Sequence, residues 1–542
     1  MKLLSILPLA ALLNQVVVGA IGDGFPNIDR VGNEGTMIGA PFAELDGRSA
    51  IIAWHNGVLY TIPEVPGSRV GFSDYLVSSW DISNIGVAAP AELGTHGITR
   101  HPILAHGFLY RNNTLVLGDN HEMNRSFLAT EVYGTNDNVS YSDMDPLYGV
   151  GGHGAMYVPF GAEPSYRNYF PSQEDAQLRR MNPVTGIWET TATWDHLSLT
   201  GVAGYPFIVG NLLIYCADGN RSGLAIYDIS DVTQPALLST VTDGGAGGYW
   251  PSLWGGDGRL YAVWAYRQEF NEVGNGIRII DITDPSDPQW VTDTPLPDED
   301  QTQYVMFQDD YAFLGNHKFD MRSHEVVLSF PTEANGVDAS QFALPLGNLV
   351  LLGGYGDQQG VSTWVHQELA DTRPPAVGFH LPQDGQTNYP VSAPISLLIH
   401  EVLETRTIIN GDTILIRPVG GAPLAAQFTL SFDGVLTFTP DAPLQANTSY
   451  EVVLDGIQDA SGNAMEPYSF TFSTGETVSG NAAPIVESFT ADQTVVEPGA
   501  LITLTAVASD DNDPALDLEF RFDPGNGEAK TEWSSNSSVG FI

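Results

Sequence analysis

The chain of 542 residues is poor in cysteine, in lysine and in long helical patterns. Its one cysteine, Cys216, can form no internal disulfide, so no disulfide framework holds this fold. Cys216 ends the apolar run Leu212-Leu213-Ile214-Tyr215-Cys216, where a small buried hydrophobe is expected rather than a nucleophile. The lysines are Lys2, Lys318 and Lys530, and 21 Lys+Arg face 65 Asp+Glu for a net charge of -44. Such a surface repels nucleic acid and anionic lipid, which excludes both as partners. Past the N-terminal region no unbroken apolar run reaches about 18 residues, so no integral membrane segment is expected. There is no Gly-x-Ser-x-Gly elbow, no His-Glu-x-x-His, no Walker loop and no cysteine pair. The common hydrolase, zinc-protease and nucleotidase chemistries therefore have no motif to rest on.

What is present is turn-forming and β-forming. There are 57 Gly and 35 Pro, aromatics make up 10%, and long amphipathic helices are missing, which points to an all-β chain with many turns. Residues 1–20 read as a secretory signal: Lys2, the apolar stretch Leu3 to Val18, and the small-residue site Val18-Gly19-Ala20. The expected location is secreted or at a cell surface. The 522 residues left after those 20 are too many for one core and predict several domains.

One phrase recurs. Trp80-Asp81-Ile82-Ser83-Asn84, Tyr227-Asp228-Ile229-Ser230-Asp231 and Ile280-Asp281-Ile282-Thr283-Asp284 each follow a hydrophobic strand and lead to Pro90, Pro235 or Pro288. The Asp can accept backbone N–H bonds within a turn, and the Ile can fill the space between stacked units. A second element is a hydrophobic strand, a tight Asn/Asp/Gly turn and another strand. It occurs at Asn56, Asn112, Asn211, Asp257, Asp309 and Gly347, spaced 56, 99, 46, 52 and 38 residues apart. The gap of 99 holds Leu178 to Trp188, which reads as the outer hairpin of a divergent unit. Repeats of this length in β-rich sequence predict a propeller. Seven blades fit residues 21–372, and six or eight would also fit the spacing.

The three Asp-Ile-Ser/Thr-Asp copies resemble the LVIVD repeat of exported bacterial β-propellers, with looser matches in the other blades. That resemblance implies a scaffold and no activity. After the linker Asp371-Thr372-Arg373-Pro374-Pro375, period-2 alternation appears at Ile395/Leu397/Ile399, Leu436/Phe438, Tyr450/Val452/Leu454 and Tyr468/Phe470/Phe472. It predicts strands with one buried face. Pro382-Gln383-Asp384-Gly385, Leu436 to Pro440, Leu444 to Tyr450 and Asp459-Ala460-Ser461-Gly462-Asn463 run in the order of the SbsA-type Ig-like domain, and residues 374–475 resemble that family. The resemblance implies an extracellular spacer or adhesive module. His400-Glu401 departs from its pattern, which more often has a small or aromatic residue before the acid. Residues 484–542 resemble a PKD-type Ig-like domain, shorter than such a domain usually is, so a partial domain is expected.

Candidate sites are few. His121, in Gly118-Asp119-Asn120-His121-Glu122, and His153, in Gly152-His153-Gly154, would converge on the propeller axis if the channel held a metal. Turn histidines bonded to backbone are the competing account. Asp510, Asp511, Asn512 and Asp513 have oxygen ligands at a density that suits calcium, and Asp281/Asp284/Asp287 less so, since those belong to the repeated turn. Tyr249, Trp250, Trp254, Tyr261, Trp264 and Tyr266 crowd one blade, where packing competes with sugar stacking. No catalytic set and no required cofactor can be named. The expected architecture is all-β, a seven-bladed β-propeller followed by Ig-like β-sandwich domains. The expected role is non-catalytic binding of an extracellular protein or polysaccharide. The alternative is a secreted enzyme working in the propeller channel, such as a quinoprotein-like oxidoreductase, a lactonase or a glycan lyase.

Overall fold

The structure, a computed structural model, describes residues 33–541 apart from short stretches, of which those of seven residues or more are 42–50, 63–74, 99–108, 119–130, 143–149, 160–174, 267–275, 297–304, 476–484, 494–500, 510–519 and 523–533. Residues 1–20 lie outside the described set. The chain divides into two units, Met1–Glu476 and Thr477–Ile542.

The first unit contains seven consecutive blades. Blade 1 is a four-stranded meander from Ile51–His55 to Ala91–Ile98. Blade 2 comprises Leu109–Arg111, Thr114–Gly118, Glu131–Val132 and Val139–Ser142. Blade 3 runs from Val150–Gly151 to Trp188–Asp195, blade 4 from Gly204–Val209 to Ala236–Thr242, and blade 5 from Tyr249–Gly256 to Gln289–Pro295. Blade 6 runs from Val305–Gln308 to Glu325–Ser329, and blade 7 holds Phe342–Leu346, Leu349–Gly353 and Val361–Val365. Burial gives the direction of each blade. First strands such as Val305–Gln308 and Phe342–Leu346 are buried throughout, while last strands such as Gln289–Pro295 and Glu325–Ser329 are largely open to solvent. First strands therefore lie innermost.

Blade 7 has three strands of its own, and the N-terminal segment completes it. Gly35 N–H donates to Val365 O at 2.9 Å, Val365 N–H to Thr36 O at 3.0 Å, and Ile38 N–H to Thr363 O at 2.8 Å. A strand from the start of the chain thus joins the last blade and closes the ring. No repeat motif marks residues 35–38, so the sequence carries no signal for this closure.

The tight turns behave as their residues require. Gly57, Gly210, Asp257, Asp309 and Gly347 all have positive φ. In the repeated phrase, the amides of Ser83, Ser230 and Thr283 donate to Oδ1 of Asp81, Asp228 and Asp281 at 2.9, 2.8 and 2.9 Å. Ile82, Ile229 and Ile282 are buried. The phrase sits between the third and fourth strands of its blade and is structural. Trp254, Trp264 and Tyr266 are buried, so packing accounts for them, and Cys216 is fully buried as a small hydrophobe.

The Ig-like region is a sandwich. One sheet orders Val377–Leu381, Ile395–Ile399, Val435–Pro440 and Ala426–Ser431, and the other orders Gln386–Tyr389, Tyr468–Thr474, Ser449–Leu454 and Ile414–Pro418. Alternation holds in the second sheet, where Tyr450, Val452 and Leu454 are buried and their neighbours are less so. It fails in the first. Ile395–Ile399 is buried at every position, including Ser396 at 0% exposure, and Thr437 is buried as well. The expectation of one buried face is corrected there, because the propeller covers the other face.

The second unit contains a three-stranded antiparallel sheet of Ile485–Ala491, Ile502–Ser509 and Ser538–Phe541.

Candidate functional site

The histidine and calcium candidates read from the sequence, His121, His153 and Asp510, Asp511, Asn512 and Asp513, lie outside the described residues. Asp281 and Asp284 are engaged in their own turns: Asp281 by Thr283 N–H and by Arg259 at 2.7 Å, Asp284 by Ser286 N–H at 2.9 Å. Chemistry gathers elsewhere, where the Ig-like sheet lies against the propeller.

The docking uses the first hairpins of blades 4, 5 and 6. Gly210 N–H donates to Ser396 Oγ at 3.0 Å, Leu253 N–H to Asp433 Oδ2 at 3.1 Å, and Gly258 N–H to Gly378 O at 3.0 Å. Gly255 N–H donates to His400 Nε2 at 2.5 Å, and Asp309 N–H to His400 O at 2.8 Å. Across the ring, Leu109–Arg111 of blade 2 pairs with Ala426–Ser431, so one sheet runs from the Ig-like sandwich into that blade. The approach is close enough to require glycine. A Cβ on Gly378 would stand 2.0 Å from Gly255 O, and one on Gly255 would stand 2.7 Å from Phe379 Cβ.

Beside this contact is a cavity of about 250 Å³ whose lining includes Trp254, Asp309, Arg322, Arg373, His400 and Glu401. Its exposed side is a charge network: Arg322 pairs with Asp257 at 2.6 Å and Asp310 at 2.9 Å, and Arg373 with Asp309 at 3.1 Å and Asp310 at 3.4 Å. Glu401 also lines the cavity, and it belongs to a buried group with Asp371 and Asp459. Their carboxylate oxygens lie within 4.8 Å of one another, and all three residues are buried. Asp371 follows blade 7, Glu401 follows the Ig-like strand Ile395–Ile399, and Asp459 opens the turn to Asn463. Asn463 Nδ2 donates to Asp459 Oδ2 at 2.9 Å and to Asp371 O at 3.3 Å.

Burial dominates the electrostatics. It pushes the Asp459 carboxyl up to about 7 and Asp309 to about 6, and it raises Asp371. Burial, reinforced by the charges of Asp309, Asp371 and Asp459, raises Glu401 well above the carboxylate range. Burial also lowers His400 to about 3, so its ring is neutral and Nε2 can accept from Gly255.

The sequence held traces of this site under other meanings. Asp309 was a turn residue, Asp371 part of a linker, Asp459 part of an Ig-like motif, and Glu401 half of the departure His400-Glu401. No spacing rule joins four acids that come from a blade, a linker and two Ig-like loops.

Comparisons with known proteins agree with the architecture. Residues 371–474 match the family profile of a bacterial Ig-like domain, and residues 208–243 and 272–293 match the LVIVD repeat. The chain thus combines an LVIVD-repeat propeller with an Ig-like module. No curated protein sequence matches it. Among solved structures, Sqt1 of Saccharomyces cerevisiae is similar at 11% identity and TM-score 0.33, over 74% of this chain and 99% of that one. An exo-β-1,3-galactanase from Phanerochaete chrysosporium is similar at 10% identity and TM-score 0.28, over 82% of this chain and 97% of that one. The N-terminal part of the bacterial S-layer protein SbsC is similar at 15% identity and TM-score 0.15, over 21% of this chain and 37% of that one. Likeness this slight says nothing of activity. No helix among the described residues is long and apolar enough to cross a membrane.

Proposed function

We propose that this chain is an exported, non-catalytic binding protein. Its propeller, residues 21–372, is the recognition platform. The Ig-like region, residues 374–475 and of SbsA type, and the PKD-type segment 484–542 are spacers that hold the platform away from a surface. The observation that carries this reading is the docking of the Ig-like sheet on the first hairpins of blades 4, 5 and 6 and on blade 2. One face of the ring is taken up by structure, which leaves the opposite face and the blade rims for a partner.

The partner classes are an extracellular protein or a polysaccharide. A feature of blade 5 favours sugar. Trp290, on the outer strand Gln289–Pro295, is 47% exposed and borders a groove of about 400 Å³ with Thr242, Arg278, Thr292 and Asp293. The Arg278 guanidinium stands 5.7 Å from the Trp290 ring centre and donates to Asp293 at 3.1 Å, and Trp264 meets the ring edge-on at 6.1 Å, so the ring is held although about half of the residue is exposed. An open indole beside hydroxyls and a carboxylate is suited to stack a pyranose and bond its hydroxyls.

A thermal-shift screen of the full chain tests this, with soluble polysaccharides, transition metals and pyrroloquinoline quinone in the panel. A ligand at 100 times its dissociation constant adds about 2.7 kcal/mol to native stability, which is easily seen. A shift with one polysaccharide, lost in Trp290→Ala, is the expected result. A shift with the quinone or a transition metal overturns the non-catalytic reading. Silence across the polysaccharides moves the reading to a protein partner.

A further inference from the structure

The buried acids at the docking face crowd together. Asp371, Glu401 and Asp459 are 2%, 8% and 1% exposed, and their oxygens lie within 4.8 Å of one another. Asp309 stands against Glu401, close enough to share a hydrogen bond. Arg373 directs its guanidinium to Asp309 and Asp310 and its amide to Asp371 Oδ1 at 3.0 Å, and the charge of the buried Lys318 also acts on Asp309. Packing several acids together out of water is costly unless a counter-charge joins them.

Two side-chain oxygens lack a partner here. Glu401 Oε1 is buried and accepts no hydrogen bond. Gln308, 2% exposed, donates from Nε2 to Asp371 Oδ2 at 3.3 Å and to Gly347 O at 2.8 Å, and its Oε1 is also unmatched. Leaving such acceptors unpaired in the interior opposes folding. The donors are oxygens, since the nearby His400 ring already accepts from Gly255 through Nε2. Oxygen ligands select a hard cation. Mg²⁺ dehydrates reluctantly and is seldom held by an all-protein oxygen cage, whereas Ca²⁺ is.

We propose that Asp371, Glu401 and Asp459, with Gln308 and Asp309 beside them, form a Ca²⁺ site that fastens the Ig-like module to blade 6. The three acids come from the segment after blade 7 and from two Ig-like loops, and Gln308 and Asp309 of blade 6 stand beside them, so one ion ties the Ig-like module to the end of the propeller. The site does not depend on what the propeller binds.

The test uses the full chain stripped by chelator, then titrated with CaCl₂ or MgCl₂ by calorimetry and followed by thermal unfolding. Glu401→Gln and Asp459→Asn are compared with Asp284→Asn, which alters an exposed turn. The expected result is saturable Ca²⁺ binding with a rise in Tm, at least tenfold weaker in both junction variants and unchanged in Asp284→Asn, with Mg²⁺ binding more weakly than Ca²⁺. Wild-type protein that does not respond to Ca²⁺ overturns the proposal. So does a response that both junction variants keep, because the acidic surface would then be its source. If neither junction variant folds, Tb³⁺ decides. Emission excited through tryptophan, displaced by Ca²⁺ and at least halved in Trp254→Phe, supports the site, because Trp254 lines the same cavity as Glu401. Emission that Trp254→Phe leaves intact overturns it.

Discussion

Two sets of acids in this molecule have the same side chains and opposite circumstances. Asp81, Asp228 and Asp281 stand in the repeated turns of the blades, each accepting the amide two residues on. Asp228 also accepts from Ser230 Oγ at 2.6 Å and Asn211 Nδ2 at 3.0 Å. At Asp281 burial works upward, yet the bonds from Thr283 and Arg259 hold the carboxyl below its ordinary value. The acids of the docking face, Asp309, Asp371, Glu401 and Asp459, are packed against one another, and all are raised. A carboxylate provided with donors by its own turn stabilises that turn as an ion. A carboxylate buried with other carboxylates works against folding until something neutralises it. Asp309 bridges the two cases, for it occupies a blade turn that a second module happens to cover.

The contrast can be broken most forcefully by separating the covering module from the blades. Gly378→Ala places a methyl 2.0 Å from Gly255 O, so the backbone of one strand must shift. The expected loss is about 3 kcal/mol, read as a lower denaturant midpoint. A midpoint equal to wild type would mean that the docked arrangement is not the one in solution.

Acid sharpens the contrast from the side of a buried base. His196 sits at the start of the short helix His196–Thr200, its Nδ1 2.9 Å from the Tyr227 hydroxyl and its ring stacked on Tyr215 at 3.8 Å. Burial lowers it to about 4, from 6.5. Between those values the unfolded chain binds a proton that the folded chain does not. The contribution of His196 is therefore complete above pH 6.5 and erodes as pH falls towards 4. At pH 5 the loss is about 2 kcal/mol, and His196→Gln should remove that part of the pH dependence when unfolding is followed from pH 7 to 5.

A single chemical change then asks whether the two sets of acids really differ in sign. In chelator, Glu401→Gln relieves a crowded interior of an acid whose ionisation is opposed there, and should stabilise by about 1–2 kcal/mol. Asp228→Asn removes a charge that three donors favour and should destabilise by about 1 kcal/mol. Chemical denaturation of the two variants under the same conditions measures both. Effects of the same sign would remove the distinction between turn acids and junction acids.

Much of the fold was legible in the sequence because it rests on local rules. Positive φ at Asp257 and Asp309, the turn bonds of Asp81, Asp228 and Asp281, and the alternation in Ser449–Leu454 each follow from residues a few positions apart. The rule failed in Ile395–Ile399, where Ser396 and Leu398 should have faced water and are instead covered by the propeller. The candidate site was scarcely legible, since Glu401 showed only as a departure from a family pattern and Asp371 only as part of a linker.

The sequence by itself determined an all-β chain, repeated blades with their turn chemistry, and an Ig-like sandwich after them, because strand period and turn conformation are short-range properties. Tertiary structure alone decided that residues 35–38 close the ring, that the Ig-like sheet is buried on both faces, and that Asp309, Asp371, Glu401 and Asp459 share one interior. Those outcomes depend on which surfaces meet after the strands have formed. Electrostatic energy depends on distance and burial, which the order of residues along a chain does not state.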